Sequence, residues 1–97
     1  MVTIPSQFTD CVKNIINWHL NTYIPEQVFN VHLERVLEQF YKRNLVNGTV
    51  QIKESELYYI SECVSDATSN VDECGVERSL VWEVFDWIKA ERKRVNQ

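Results

Sequence analysis

Two histidines and three cysteines are the side chains of this 97-residue chain with the widest range of chemistry. His19 and His32 both fall within apolar helical stripes, and together with Cys11 or Cys63 they could bind a metal ion such as zinc. The sequence contains no CxxC pair and no other ligand doublet at the short spacing typical of zinc sites. We therefore expect no metal site, and two imidazoles that are buried or half-buried and each donate one hydrogen bond.

Nucleophilic catalysis has equally little support in the sequence. No serine or cysteine lies in a glycine-rich turn, and neither histidine is next to a nucleophile. Gly48 and Gly75 are isolated, which argues against a phosphate-binding loop. We predict that the chain is not an enzyme and uses no cofactor; a small metal-dependent or hydrolytic enzyme built around His19 and His32 is the third-ranked hypothesis.

Charge is distributed very unevenly along the chain. The segment from Glu54 to Asp86 carries nine acidic side chains and one basic side chain, Arg78, and therefore has a net charge of −8. The rest of the chain carries +4, which gives the total of −4. Such a surface attracts cationic partners and repels phosphates. We expect a basic protein partner and no direct binding of nucleic acid, because the only dense basic cluster is Arg92 to Arg94 near the end of the chain.

Four segments with helical periodicity must position these groups. The first runs from about residue 5 to 21, and the second opens with Pro25-Glu26 and is stopped by Asn47-Gly48. The third covers about residues 54–68, and the fourth follows Asp72 as N-cap and continues to about residue 94, with Gly75 in its first turn. The pattern predicts an all-α fold, a compact four-helix bundle, in a single domain of residues 1–97.

Alternating apolar residues at positions 2–4 and 49–52 predict an additional short two-stranded ribbon. The core of the bundle is predicted from the apolar side of each helix. The core-facing residues are, in chain order, Phe8, Cys11, Val12, Ile15, Ile16, His19, Leu20 and Tyr23; Val28, Phe29, His32, Leu33, Val36, Leu37, Phe40 and Tyr41; Leu57, Ile60, Cys63, Val64 and Ala67; and Val76, Leu80, Val81, Val84, Trp87 and Ile88.

The outer sides of the third and fourth helices combine acids with aromatic residues. Tyr58 opens a line of outward residues on the third helix, and Trp82 lies off the core side of the fourth. Partly exposed aromatics inside a charged rim are typical of protein interfaces. The predicted partner-binding residues are Tyr58, Glu62, Asp66, Asp72, Glu73, Trp82 and Asp86.

Two alternatives compete with this interface. Trp82 could lie flat over Arg78 or Lys89, or pack on the first helix, while the acids are merely solvated. Trp82 and Phe85 could also serve a homodimer.

The order of these features resembles a family of small acidic helical proteins, the colicin D-type immunity proteins and the related immunity proteins of contact-dependent inhibition systems. The resemblance lies in an aromatic-led stripe that begins at Phe8, a phenylalanine near the start of the second helix, Phe29, an acidic segment over residues 57–66, and a last helix opened by acids within residues 71–80. It spans nearly the whole chain.

The resemblance implies that the chain binds the basic nuclease domain of a bacterial toxin, commonly a ribonuclease that cleaves tRNA. Its acidic face would plug the cleft that the RNA backbone occupies, because carboxylates can replace phosphates in front of lysine and arginine side chains. A phage-encoded inhibitor of a host nucleic-acid enzyme, which uses the same face as a nucleic-acid mimic, is the alternative.

Cysteine usage and hydropathy indicate where the protein works. An odd number of cysteines argues against a closed disulfide framework and favours a reducing compartment. The N-terminus has no secretory signal, and no apolar run is long enough to span a membrane. We expect a cytoplasmic protein that does not contact membranes.

Overall fold

Helices make up most of the part of the chain that the computed structural model describes, which is residues 1–22, 27–42 and 48–96. The all-α prediction is confirmed, and the described residues form five helices rather than four. The elements are β1 (Val2–Ile4), α1 (Ser6–Thr22), α2 (Gln27–Tyr41), β2 (Val50–Ile52), a 3-10 turn (Glu54–Glu56), α3 (Leu57–Thr68), α4 (Val71–Cys74) and α5 (Arg78–Val95).

The predicted ribbon is present as the antiparallel pair of β1 and β2. Its register pairs Val2 with Ile52, Thr3 with Gln51 and Ile4 with Val50. Because strand side chains alternate between faces, the apolar residues of both strands point into the core and the polar residues point outward. A two-stranded ribbon alone is marginal in water, so this one depends on the burial of its apolar face.

The centre of the fold is the packing of α1 and α3, since each of these helices contacts every other helix that the structure describes. Their buried apolar residues follow the predicted stripes and belong to a single hydrophobic cluster. They are Cys11, Val12, Ile15 and Ile16 on α1, and Leu57, Ile60, Cys63, Val64 and Ala67 on α3.

Helix α2 buries a narrower side than predicted. Leu33, Val36 and Phe40 are buried as expected, but Val28 and Tyr41 are 71% and 64% exposed. At about 100° per residue, Val28 and Tyr41 lie on opposite flanks of α2, each about 110° from the middle of the side formed by Leu33, Val36 and Phe40. The predicted core positions at the two ends of this helix are therefore wrong. The predicted core residue Tyr23 and the predicted boundary signals Pro25-Glu26 and Asn47 lie outside the described residues.

The predicted fourth helix is divided into two. Gly75 adopts a left-handed conformation with φ of +70° and ends the one-turn helix α4, and α5 begins only at Arg78. Glycine is the residue that enters this conformation without steric cost, which is why it terminates helices so often. Asp72 is thus not an N-cap; Asn70 holds that position, and Asp72 lies within α4.

The conformation of Gly75 predicts the sign of a substitution. We expect Gly75→Ala to lower the free energy of unfolding by about 1 kcal/mol, because a side chain is disfavoured at positive φ. A Cβ atom at this position would meet no heavy atom within 4 Å, so a clash does not contribute. Urea unfolding would measure the change. Gly75→Asn should cost less, since asparagine tolerates this conformation better. In a continuous helix the alanine variant would instead be more stable by about 1 kcal/mol, and that result would contradict the observed turn.

Candidate functional site

The predicted partner-binding residues lie on the antiparallel pair of α3 and α5 and on the short helix α4 that connects them. Arg92 near the C-terminal end of α5 donates a hydrogen bond of 3.1 Å from Nη1 to the Oγ of Ser61, which lies in the N-terminal half of α3. The beginning of α3 is therefore beside the end of α5. Helix α4 and the first turns of α5 lie at the other end of the pair, which we call the α4 end.

Most carboxylates of the acidic segment face solvent. Seven of its nine acids are exposed, and Glu56 and Asp66 are partly buried. Helix periodicity explains this arrangement for α3 and α5. Their apolar sides are buried in the core, so the acids lie on the opposite sides, which face solvent. The exposed acids are Glu54, Glu62, Asp72, Glu73, Glu77, Glu83 and Asp86.

Basic residues of the chain itself neutralise only part of this charge. Asp72 Oδ1 lies 3.8 Å from Arg78 Nη2, and Asp86 Oδ1 lies 3.9 Å from Lys89 Nζ. Both pairs are long and solvent-exposed, and exposed pairs contribute about 0–1 kcal/mol at most. Within the described ranges, Glu62 and Glu73 form no ion pair. The acidic surface thus retains most of its negative potential.

Trp82 is the large apolar side chain at the centre of the acids at the α4 end. It is 44% exposed, and its ring packs edge-on against Phe85 with 5.4 Å between the ring centroids. It is one helical turn after Arg78, which reaches Asp72, and one turn before Asp86. Trp82 therefore shares one side of α5 with Arg78 and Asp86, Asp72 reaches that side through its contact with Arg78, and Glu73 follows Asp72 directly in α4. The alternative in which Lys89 covers Trp82 is not what is observed, because Lys89 Nζ lies 4.8 Å from the ring centroid of Phe85.

Tyr58 and Glu62 lie away from this group. Tyr58 is 47% exposed, and the guanidinium of Arg92 lies 5.9 Å from its ring centroid. Because Arg92 follows Trp82 by ten residues on α5, the two aromatic residues are about 15 Å apart along the helix pair, at 1.5 Å per residue. Asp72, Glu73, Trp82 and Asp86 therefore lie at the α4 end, and Tyr58 and Glu62 lie towards the other end of the pair.

Asp66 has a different environment from the other acids of the set. Its Oδ2 lies 3.1 Å from Nε2 of His19 on α1, and His19 is only 8% exposed. The backbone oxygen of the same residue accepts a hydrogen bond of 2.9 Å from Nδ2 of Asn70. Asp66 thus connects α3 to α1, and this contact over 47 residues of sequence has no local signal that could have predicted it.

The two histidines belong to an aromatic cluster between α1, α2 and α3. The ring of His19 meets Phe29 at 5.7 Å, Phe29 meets Tyr59 at 5.2 Å, and Tyr59 stacks on His32 at 5.1 Å, all measured between centroids. His19 is buried and His32 half-buried, as predicted. In the described part of the chain, no group of three or more histidine, cysteine or acidic side chains is placed to hold a metal ion.

All three cysteines are buried thiols. Burial raises the pKa of Cys11 to about 11, and the nearby thiol of Cys74 adds to the shift. Burial also raises the pKa of Cys63, with further contributions from Asp66 and Glu62, and that of Cys74, with a contribution from Glu73. A thiol with a raised pKa is a poor nucleophile at neutral pH, because the thiolate is the reactive form.

The raised pKa values predict slow thiol chemistry. In the native protein at pH 7.5, all three thiols should react with a disulfide reagent at least tenfold more slowly than in urea, where they become exposed. Absorbance kinetics with and without urea would measure this, and a thiol that reacts at the unfolded rate would contradict the burial.

The free energy of unfolding should also fall as pH rises from about 9 to about 11, because the folded state keeps the Cys11 proton that the unfolded state has lost.

The contact of Asp66 with His19 predicts that two neighbouring acids differ in their roles. We expect Asp66→Ala to lower the free energy of unfolding by about 1 kcal/mol, because a buried imidazole loses its carboxylate partner. The matched variant Glu62→Ala removes a carboxylate one turn away that is exposed, and it should change stability by less than about 0.5 kcal/mol. Chemical denaturation of both variants would test this, and equal effects would contradict it.

The sequence interpretation overlooked a groove at the end of the helix pair opposite α4. It treated Arg92 to Arg94 only as a basic cluster near the end of the chain, whereas Arg92 and Lys93 line this groove. The spacing of Lys89, Arg92 and Lys93 at i, i+3 and i+4 is the signal that could have shown a common basic side.

Among the described residues, no helix combines the length and hydropathy needed to cross a bilayer. Comparisons of this chain with protein-family models, with curated proteins and with solved structures find no match.

Proposed function

We propose that this chain is a cytoplasmic inhibitor of the bacterial immunity type, which neutralises a toxin by binding its basic nuclease domain. The exposed carboxylates of α3, α4 and α5 would occupy the cationic cleft in which the RNA backbone lies during cleavage. The protein then acts as a binding partner rather than as an enzyme. Inhibition requires only that the complex keeps RNA out of the cleft.

The single observation that carries the proposal is the exposed Trp82 among exposed acids at the α4 end. A tryptophan that is 44% exposed leaves apolar area in water, and such residues dominate the energy of protein interfaces. Asp72 and Asp86 on either side supply a charged rim. An aromatic anchor, Trp82, inside a rim of acids has the composition expected of a surface that binds another protein.

Electrostatics supports a basic partner in particular. The acidic segment contains Arg78 as its one basic residue, and seven of its nine acids are exposed. Such a field accelerates the approach of a cationic domain, and a nuclease cleft is cationic because it binds phosphates. Fast capture suits an inhibitor that must act before its target cleaves RNA.

A binding experiment with matched variants tests the proposal. The proposal expects a gene for a basic nuclease domain beside the gene for this chain; that domain is the partner to use, and surface plasmon resonance measures the rates. We expect Trp82→Ala to weaken the affinity by about 30-fold or more, since central aromatic anchors contribute at least about 2 kcal/mol. The double variant Asp72→Lys with Glu73→Lys should slow association about tenfold at low salt.

The control is a double variant with the same change in charge at exposed acids outside α3–α5, Asp10→Lys with Glu34→Lys. It should change the association rate by less than about threefold. Association of the unmodified protein should also slow steeply with added salt, because exposed charges are screened beyond about 8–10 Å. Unchanged binding by a folded Asp72→Lys with Glu73→Lys variant would remove the α4 end from the proposed surface.

A further inference from the structure

An open groove of about 480 Å³ lies between α3 and the C-terminal part of α5. Every side chain that lines it can donate a hydrogen bond, and three of them are cations. Among the described residues, no carboxylate lines it, although the chain has 14 acidic residues. The lining residues are Ser61, Lys89, Arg92, Lys93 and Asn96.

Arg92 is held in place at this groove. Its Nη1 donates to Ser61 Oγ at 3.1 Å, and its guanidinium lies 5.9 Å from the ring centroid of Tyr58. A guanidinium has five N–H donors, so the bond to Ser61 leaves several for a ligand. Because Ser61 Oγ accepts this bond, its own hydroxyl proton is available for donation. An arginine that is already ordered loses little entropy when it binds an anion.

Two lysines extend the positive charge on the same side of α5. Lys93 forms no ion pair within the described ranges, and Lys89 has only the long, exposed contact of 3.9 Å with Asp86. Cations in the last turns also stabilise the helix dipole. That role requires neither the bond of Arg92 to α3 nor the further donors of Ser61 and Asn96 in the lining. Arg94, close by on the same helix, instead binds Glu91 at 2.7 Å and does not line the groove.

From this geometry we propose that the groove binds a phosphate monoester. A phosphate group carries a charge of about −1.5 to −2 at neutral pH and three acceptor oxygens, which match three cations and the donors of Ser61 and Asn96. The volume of about 480 Å³ holds the phosphate together with a small organic group. The proposal does not rest on the proposed function, because it is argued from Arg92, Lys93 and Ser61, and Arg92 lies about 15 Å from Trp82 along α5.

Titration of the ¹⁵N-labelled full chain with methyl phosphate, followed by NMR, tests the proposal directly. We expect saturable shifts that centre on Ser61, Lys93 and the Nε of Arg92. Acetate at the same ionic strength is a monoanion with two acceptor oxygens, and it should bind at least fivefold more weakly.

Matched variants of Arg92 and Arg94 test which residues bind the phosphate. Arg92→Gln should weaken methyl phosphate binding at least tenfold, whereas Arg94→Gln, which removes the same charge two residues away, should change it by less than twofold. Lys93→Gln leaves the contact between Arg92 and Ser61 intact and should weaken binding at least threefold, so the test holds even when Arg92→Gln fails to fold. Shifts that rise linearly without saturation, equal binding of acetate, or equal losses in Arg94→Gln and Lys93→Gln would overturn the proposal.

Discussion

The apolar packing of α1 against α3 is the constraint on which the rest of the structure depends, because these two helices each contact every other helix in the described ranges. The five buried residues of α3 recur with helical period, and their inward orientation decides where every polar residue of the helix points. Glu62 therefore faces solvent, and Asp66, on the flank towards α1, meets His19. The charge pattern of the surface is thus a consequence of the core.

The antiparallel arrangement of α3 and α5 separates charges that the sequence places close together. The acids of α4 and the first turns of α5 lie at one end, and Lys89, Arg92 and Lys93 lie towards the other. Trp82 and Arg92 are about 15 Å apart along α5, at 1.5 Å per residue. This distance exceeds the screening length of about 8 Å at physiological ionic strength. Arg92 and Lys93 thus lie apart from the acids around Trp82, and the acidic surface at the α4 end keeps most of its negative charge.

Periodicity alone was enough to predict α1, α3, the ribbon and nearly all of their buried residues, because the apolar residues of each element recur with the period of a helix or a strand. It failed at Gly75, where the backbone leaves the helix through a positive φ that apolar spacing does not report. It also failed at Val28 and Tyr41, since the width of the buried side of α2 is decided by its neighbours. At these positions the local apolar pattern was correct, but tertiary structure changed which residues are helical or buried.

For the candidate site, too, some features could be predicted from the sequence and others could not. The exposure of Tyr58 and Trp82 was predictable from their angles on the helices, and the structure confirms it. The contact of Asp66 with His19 spans 47 residues and that of Arg92 with Ser61 spans 31, so neither has a signal in local spacing. Those two contacts separate the seven predicted residues into an acidic group around Trp82, a second group at Tyr58, and a carboxylate that joins two helices.

Native-state hydrogen exchange tests the central claim most directly, because it measures the free energy with which each helix opens. If the packing of α1 on α3 organises the molecule, the amides of Ile15, Ile16, Ile60 and Val64 should exchange only through global unfolding, with the full free energy of unfolding. Exchange of these amides through a local opening, while α2 and α5 remain protected, would contradict the account.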